Sequence, residues 1–181
     1  MAESEYHGEH HTEWRHTGQN VWCHVCYAMS TVFGTGYVPL MPGTIASTLA
    51  LLICLIPQDV RFMYVWGGII GACIIGIICI PIVEKERGDD ASLIVIDEVA
   101  GMWVTIASPL VPHTVLWLIT GFILFRYFDI VKPGLIAHIN RRKGAVYVMA
   151  DDIVAGVLAC VCLHVLYAGY LSIATLWYMV K

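Results

Sequence analysis

Phe62 to Val83 reads FMYVWGGIIGACIIGIICIPIV, 22 residues without an Asp, Glu, Lys or Arg. As an α-helix this run is roughly 33 Å long, enough to cross the hydrocarbon of a bilayer. Ile153 to Val180 adds 28 residues with no ionisable group other than cysteines, tyrosines and His164. Val99 to Phe125 also lacks the four strongly charged residue types, but two prolines in SPLVPH (Ser108 to His113) predict a turn between two shorter helices. Thr44 to Pro57 is a fourth apolar run, too short for a full crossing unless its ends are covered by protein.

Composition gives the same reading. The chain is 59% hydrophobic and 13% charged, and its mean hydropathy is +0.74. About 25% charged residues is ordinary for a soluble domain, so the polar supply is too small to cover a soluble monomer. The expected fold is all-α: a polytopic membrane protein with about five membrane-embedded helices plus an interfacial N-terminal helix. Residues 1–20 read as a polar, mobile tail rich in His and Glu, and 21–181 as one membrane-embedded domain. No cleavable signal peptide is apparent in this head. His7, His10, His11 and His16 lie in it without an evident scaffold for a metal. The net charge of −4 gives no nucleic-acid partner to expect, and oligomeric state is left open.

Seven cysteines lie mostly within apolar runs, where Cys behaves as a small hydrophobe. Cys23 and Cys26 have C-x-x-C spacing, but no second pair completes a zinc site, and Tyr27 stands where a haem attachment needs His. They read as residues of the interfacial helix near Asn20 to Phe33.

The basic residues divide unevenly between the two ends of the expected helices. Arg15, Lys85, Arg87, Arg126, Lys132, Arg141, Arg142 and Lys143 fall on one side, and only Arg61 and Lys181 on the other. By the positive-inside rule the first side is cytoplasmic. Two hairpins and a last crossing from near Ala150 follow, with QDVR (58–61) and PLVP (109–112) at the far side. Gly34 to Thr44, Glu84 to Glu98 and Arg126 to Asp152 then converge at the cytoplasmic face.

Within that face, LIVIDEVAGMWVTIA (Leu93 to Ala107) sets two adjacent carboxylates, Asp97 and Glu98, among apolar residues. Burying an unpaired carboxylate costs several kcal/mol, roughly 2.5 or more in mid-membrane. Asp97 shares a helix face with Gly101, and in DDIVAG (Asp151 to Gly156) Asp152 shares one with Gly156. Small residues let helices approach closely, so two Asp-x-x-x-Gly faces packed together would gather carboxylates. Gathered carboxylates repel without a cation between them, and Mg²⁺ favours such oxygen ligands together with a phosphate. The competing reading is a set of acids placed at helix starts by the helix dipole. It accounts for Asp89, Asp90 and Asp151 better than for Asp97 and Glu98.

FRYFDIVKP (Phe125 to Pro133) spaces Arg126, Asp129 and Lys132 three residues apart on one helix face. Snorkelling membrane anchors are one reading; a phosphate clamp with its own orienting Asp is the other. FGTGYVPLMPGT (Phe33 to Thr44) supplies Gly34, Gly36 and Gly43, with Thr44 as the expected cap of the next helix. A helix start with free N–H groups attracts phosphate.

Taken in order, FGTGYVPLMPGT, IVIDEVAGMW, FILFRYFDIVKP and MADDIVAG resemble the phosphatidylglycerophosphatase A family. The resemblance implies an integral membrane, Mg²⁺-dependent phosphatase converting phosphatidylglycerophosphate to phosphatidylglycerol and phosphate. It implies a location in the bacterial inner membrane with the active site facing the cytoplasm, and a membrane lipid as partner. It favours Asp97, Glu98, Arg126, Asp129, Lys132, Asp151 and Asp152 as the catalytic set. Metal ligands would come from Asp97, Glu98, Asp151 and Asp152, and substrate contacts from Gly34, Gly36, Gly43, Thr44, Arg126 and Lys132. Glu98 or Asp151 would activate water, with a covalent aspartyl-phosphate route as the other possibility. Gly134 and Leu135 after the Lys-Pro pair, and Ala46 after PGT, depart from the family pattern while leaving the charges intact. The alternative function is a cation transporter using carboxylates at the membrane boundary, which predicts acids spread through membrane depth.

Overall fold

The structure is a computed structural model; it describes residues 13–181, with side chains from Val21 onward. The expected tail, 1–20, and its four histidines therefore lie outside the described side chains. Among the described residues the chain is helical, without a β-strand. Seven α-helices follow in order: α1 (Glu13–Ser30), α2 (Pro42–Ala50), α3 (Gln58–Arg87), α4 (Ile96–Thr105), α5 (Val115–Val131), α6 (Leu135–Asn140) and α7 (Ala145–Val180). Short 3-10 turns occupy Thr35–Tyr37 and Leu51–Leu55.

Helices α3 and α7 are long and apolar enough to cross a membrane, at roughly 45 and 54 Å from their lengths. The other apolar helices, α2, α4 and α5, have 9, 10 and 17 residues, so among the described residues two of the about five expected membrane-embedded helices are candidate crossings. α4 has ten residues, because Gly88 to Val95 is irregular: Gly88 and Asp90 take positive φ, and Val95 N–H donates to the Ser30 carbonyl at 2.9 Å. α2 ends after nine residues, where Trp103 Nε1 donates to the Ala50 carbonyl at 2.9 Å. Both helices are covered by protein at positions that a lone crossing would expose to lipid.

α7 is the hub, packing against α3, α4, α5 and α6, while α1 lies along α3. Its contact with α4 is the closest because both helices present glycine there. A Cβ on Gly156 would overlap the Gly101 carbonyl, and one on Gly101 would stand 2.6 Å from the Asp152 carbonyl. Ala155 and Ala159 continue the small face of α7, and Phe125 and Met102 fill the remaining space, all fully buried. This is the face-to-face packing of two Asp-x-x-x-Gly helices that the spacing predicts.

The chain reversals before α3 and before α5 meet at one end of the bundle. Arg61 donates to the Ile56 carbonyl through Nε and Nη2 at 2.8 and 2.7 Å, and its Nη1 lies 2.7 Å from His113 Nδ1. Ser108 Oγ lies 2.7 Å from His164 Nε2, tying the Pro-rich turn to α7. The polar motifs gather at the opposite end.

Candidate active site

The first turn of α4 carries Asp97 and Glu98, where helix N–H groups favour negative charge. The second turn of α7 carries Asp151 and Asp152. With α4 and α7 locked together by glycine, carboxylate oxygens of Asp97, Glu98 and Asp152 lie within 4.8 Å of one another. Asp97 and Asp152 are buried, at 7% and 2% exposure. Asp97 Oδ1, Glu98 Oε2 and Asp152 Oδ2 are each buried without a hydrogen-bond partner. Three clustered carboxylates, each with a buried oxygen left unpartnered, are a poor arrangement for an ion-free core. They fit the oxygen-ligand preference of a hard divalent cation.

Helix α5 supplies the positive side. Arg126 Nη1 stands 2.7 Å from Asp129 Oδ2, an ion pair by distance. Arg126 Nε and Nη1 nevertheless lack aligned hydrogen-bond acceptors, so the guanidinium is held in place with donors to spare. Lys132 follows the last turn of α5 at φ 46°, a left-handed conformation costing a non-glycine residue roughly 1–2 kcal/mol. Its Nζ donates to Asp151 Oδ2 at 2.5 Å and to Asn140 Oδ1 at 2.8 Å. Burial alone would lower the Lys132 pKa, but the hydrogen bond and charge of Asp151 outweigh it and leave the ammonium favoured above the usual lysine range.

Asp151 is thus part of the site without belonging to the three-carboxylate group. One of its oxygens takes the Lys132 ammonium, and Oδ1 accepts from Asp152 N–H at 3.1 Å. Asp89, by contrast, forms an exposed pair with Lys143, as expected for a solvated acid.

The N-terminus of α2 closes the third side. A Cβ at Gly43 would collide with the Glu98 carboxylate and lie 3.1 Å from Arg126 Nη1, so any side chain here would have to displace the Glu98 carboxylate. The expected cap is corrected here: Met41 is the N-cap and Pro42 opens the helix, since proline's fixed φ and missing N–H suit that position. Thr44 lies one turn in, its hydroxyl buried without a hydrogen-bond partner.

These groups line one cavity of about 340 Å³, bordered by Gly43, Asp97, Glu98, Arg126, Lys132 and Asp152 among others. Gly34, Gly36 and Thr44 are not among its walls: Gly34 makes a left-handed turn at φ 94°, Gly36 packs against the Leu93 carbonyl, and Thr44 lies behind Gly43 in α2. The cavity also has walls at Asp90 and Ser92, and Asn140 orients Lys132 from α6. Asn140 carried no sequence signal, because its role arises only when α6 folds back over the end of α5.

This all-helical fold, with acids and cations converging on one polar cavity, defines a site suited to a phosphate ester. The sequence model of the family described as phosphatidylglycerophosphatase A matches residues 28–167, and the chain belongs to that family. A Bacteroides thetaiotaomicron protein provisionally named a phosphatidylinositol-3-phosphatase is 34% identical over 76% of this chain and 90% of its own length. Phosphatidylglycerophosphatase A of Escherichia coli is 33% identical over 74% of this chain and 78% of its own. The Haemophilus influenzae protein of the same name is 26% identical over 75% and 84%. No solved structure matches the chain.

Proposed function

We propose that the protein is an integral membrane, Mg²⁺-dependent phosphatase that hydrolyses the terminal phosphomonoester of phosphatidylglycerophosphate. Family membership supports the reaction. The observation that carries the site reading is the group of orphan oxygens on Asp97, Glu98 and Asp152, set in one cavity with the unsatisfied Arg126 guanidinium. Asp97, Glu98 and Asp152 would hold Mg²⁺. When bound, it would neutralise phosphate charge and orient the ester.

The chain's own groups account for the rest. Arg126 offers directed donors to phosphate oxygens, and Asp129 pairs with its charge from one turn away. Lys132 adds a point charge, aimed by Asp151 and Asn140. The free N–H groups of the first turn of α2 stand beside them, brought close by Gly43. Both Asp151 oxygens are engaged, so Glu98 is the better acceptor for the proton of an attacking water, through whichever of its oxygens does not hold the metal. The carboxylates gather at one end, and the middle of α3 carries none, which does not support an ion path.

In this reading α3 and α7 span the bacterial inner membrane, α2, α4 and α5 are embedded beside them, and the basic end faces the cytoplasm. The relative named for phosphatidylinositol-3-phosphate makes that lipid the second substrate to weigh, since it too is a phosphomonoester on a lipid head group. Phosphate release by purified protein from the two lipids in matched micelles tests the choice. Higher kcat/KM on phosphatidylglycerophosphate is expected, and preference for the inositol lipid would reassign the head group.

A further inference from the structure

Between α1 and α2 the chain makes a loop whose side chains and backbone are suited to different surroundings from those of an ordinary surface turn. Phe33, Leu40 and Met41 are 80%, 78% and 61% exposed. Yet from Thr31 to Val38 every backbone N–H has a partner within the chain. Gly34 donates to Thr31 Oγ1 at 3.1 Å, Gly36 to the Thr31 carbonyl at 3.0 Å, and Tyr37 and Val38 to the carbonyls of Gly34 and Thr35 at 3.1 Å each. Pro39 and Pro42 have no N–H to satisfy. As far as Val38 the loop closes its donors as a segment leaving water must, and only the Leu40 and Met41 N–H groups lack a partner among the described residues.

Two further features tie the loop to the site. Val32, Phe33 and Met41 all have positive φ, 47°, 54° and 54°, a conformation that β-branched and bulky residues rarely adopt. Such strain persists only where surrounding structure holds it, commonly beside functional sites. Met41 and Pro42 also line the polar cavity, so the exposed apolar residues Leu40 and Met41 lead directly to its wall. Across the cavity, Ile130 and Val131, between the cavity residues Asp129 and Lys132, are 63% and 53% exposed.

We propose that the loop Phe33–Met41 sits in the lipid interface and forms the rim over which the substrate's acyl end lies while its phosphate occupies the cavity. The occupant is the glycerol and acyl portion of a lipid phosphomonoester, an assignment that rests on the lipid-phosphatase reading. Phe33 and Leu40 contact the acyl chains, and Met41 marks the passage from apolar rim to polar cavity.

The test uses the full-length protein and a Phe33→Asn/Leu40→Gln double variant. Asn tolerates the left-handed backbone at position 33, and neither residue lines the cavity. On long-chain phosphatidylglycerophosphate in mixed micelles, KM should rise about tenfold or more through loss of apolar contact, with kcat within about twofold. On the deacylated, water-soluble form of the same phosphomonoester, kcat/KM should not change. Equal loss on both substrates, or no change on either, would overturn the proposal. A benzophenone amino acid placed at Leu40 gives a readout independent of turnover. In phosphatidylglycerol vesicles it should cross-link to acyl chains on illumination, and absence of lipid adducts would reject the rim even if the enzyme proved to act on another ester. Absence of wild-type turnover with adducts present would instead count against the substrate reading alone.

Discussion

The Gly101 carbonyl occupies the space in which Gly156 would carry a side chain. Through this contact α4 and α7 bring Asp97 and Glu98 to Asp152, so a substitution buried below the cavity reaches its chemistry. Gly156→Ala must push the helices apart, and the obstructing atoms are backbone. Loss of activity by about 10²-fold or more is expected from misplacement on the order of 1 Å, while far-ultraviolet circular dichroism stays helical. Wild-type turnover in this variant would show that the crossing has slack.

Asp97→Asn and Asp152→Asn keep side-chain shape while removing charge from the orphan oxygens. Activity should fall by orders of magnitude in each, with protein levels and melting temperature held or raised, because repulsion within the buried group is relieved. Near-normal turnover of both variants at limiting Mg²⁺ would end the metal assignment.

Lys132 and Asp151 are a partly buried pair, with side chains 26% and 4% exposed. Lys132→Met leaves Asp151 without its cation. A loss of about 2–3 kcal/mol in stability is expected, below the 3–5 kcal/mol typical of a fully buried pair. Adding Asp151→Asn should recover part of that stability without recovering activity. Urea unfolding in detergent and phosphate release, measured together, separate the two effects. Recovery of activity by the double variant would limit the pair to a structural role.

Arg126→Lys distinguishes a clamp from an anchor. The change keeps positive charge beside Asp129 at the same end of the bundle but removes the planar fork. An anchor predicts little effect. A clamp predicts a loss on the order of 10²-fold, comparable with removing a preorganised transition-state donor.

The parts of the site legible in the sequence were those with a periodic signature. Asp97 with Gly101 and Asp152 with Gly156 each share a helix face, and the structure packs those faces together. Arg126 and Asp129 share a face of α5, and Lys132, just past its end, lines the cavity with them. The less legible parts depend on contacts between segments distant in sequence. α4 is shorter than its apolar run because Val95 is bound to Ser30. Gly34 and Gly36 shape a loop instead of touching the cavity, since Gly36 is spent on the approach to Leu93. Asn140 reaches Lys132 only through the fold of α6. Of the five membrane-embedded helices expected, two are long and apolar enough to cross on their own, and α2 and α4 are short because protein contacts interrupt their apolar runs.

Phosphate release from phosphatidylglycerophosphate, followed with purified protein across a Mg²⁺ titration after chelation, tests the central claim most directly. The account predicts negligible turnover without the metal, saturable recovery as Mg²⁺ is added, and little recovery in Asp152→Asn at the same concentrations. Full turnover in chelator, with Asp152→Asn as active as the parent, would contradict it.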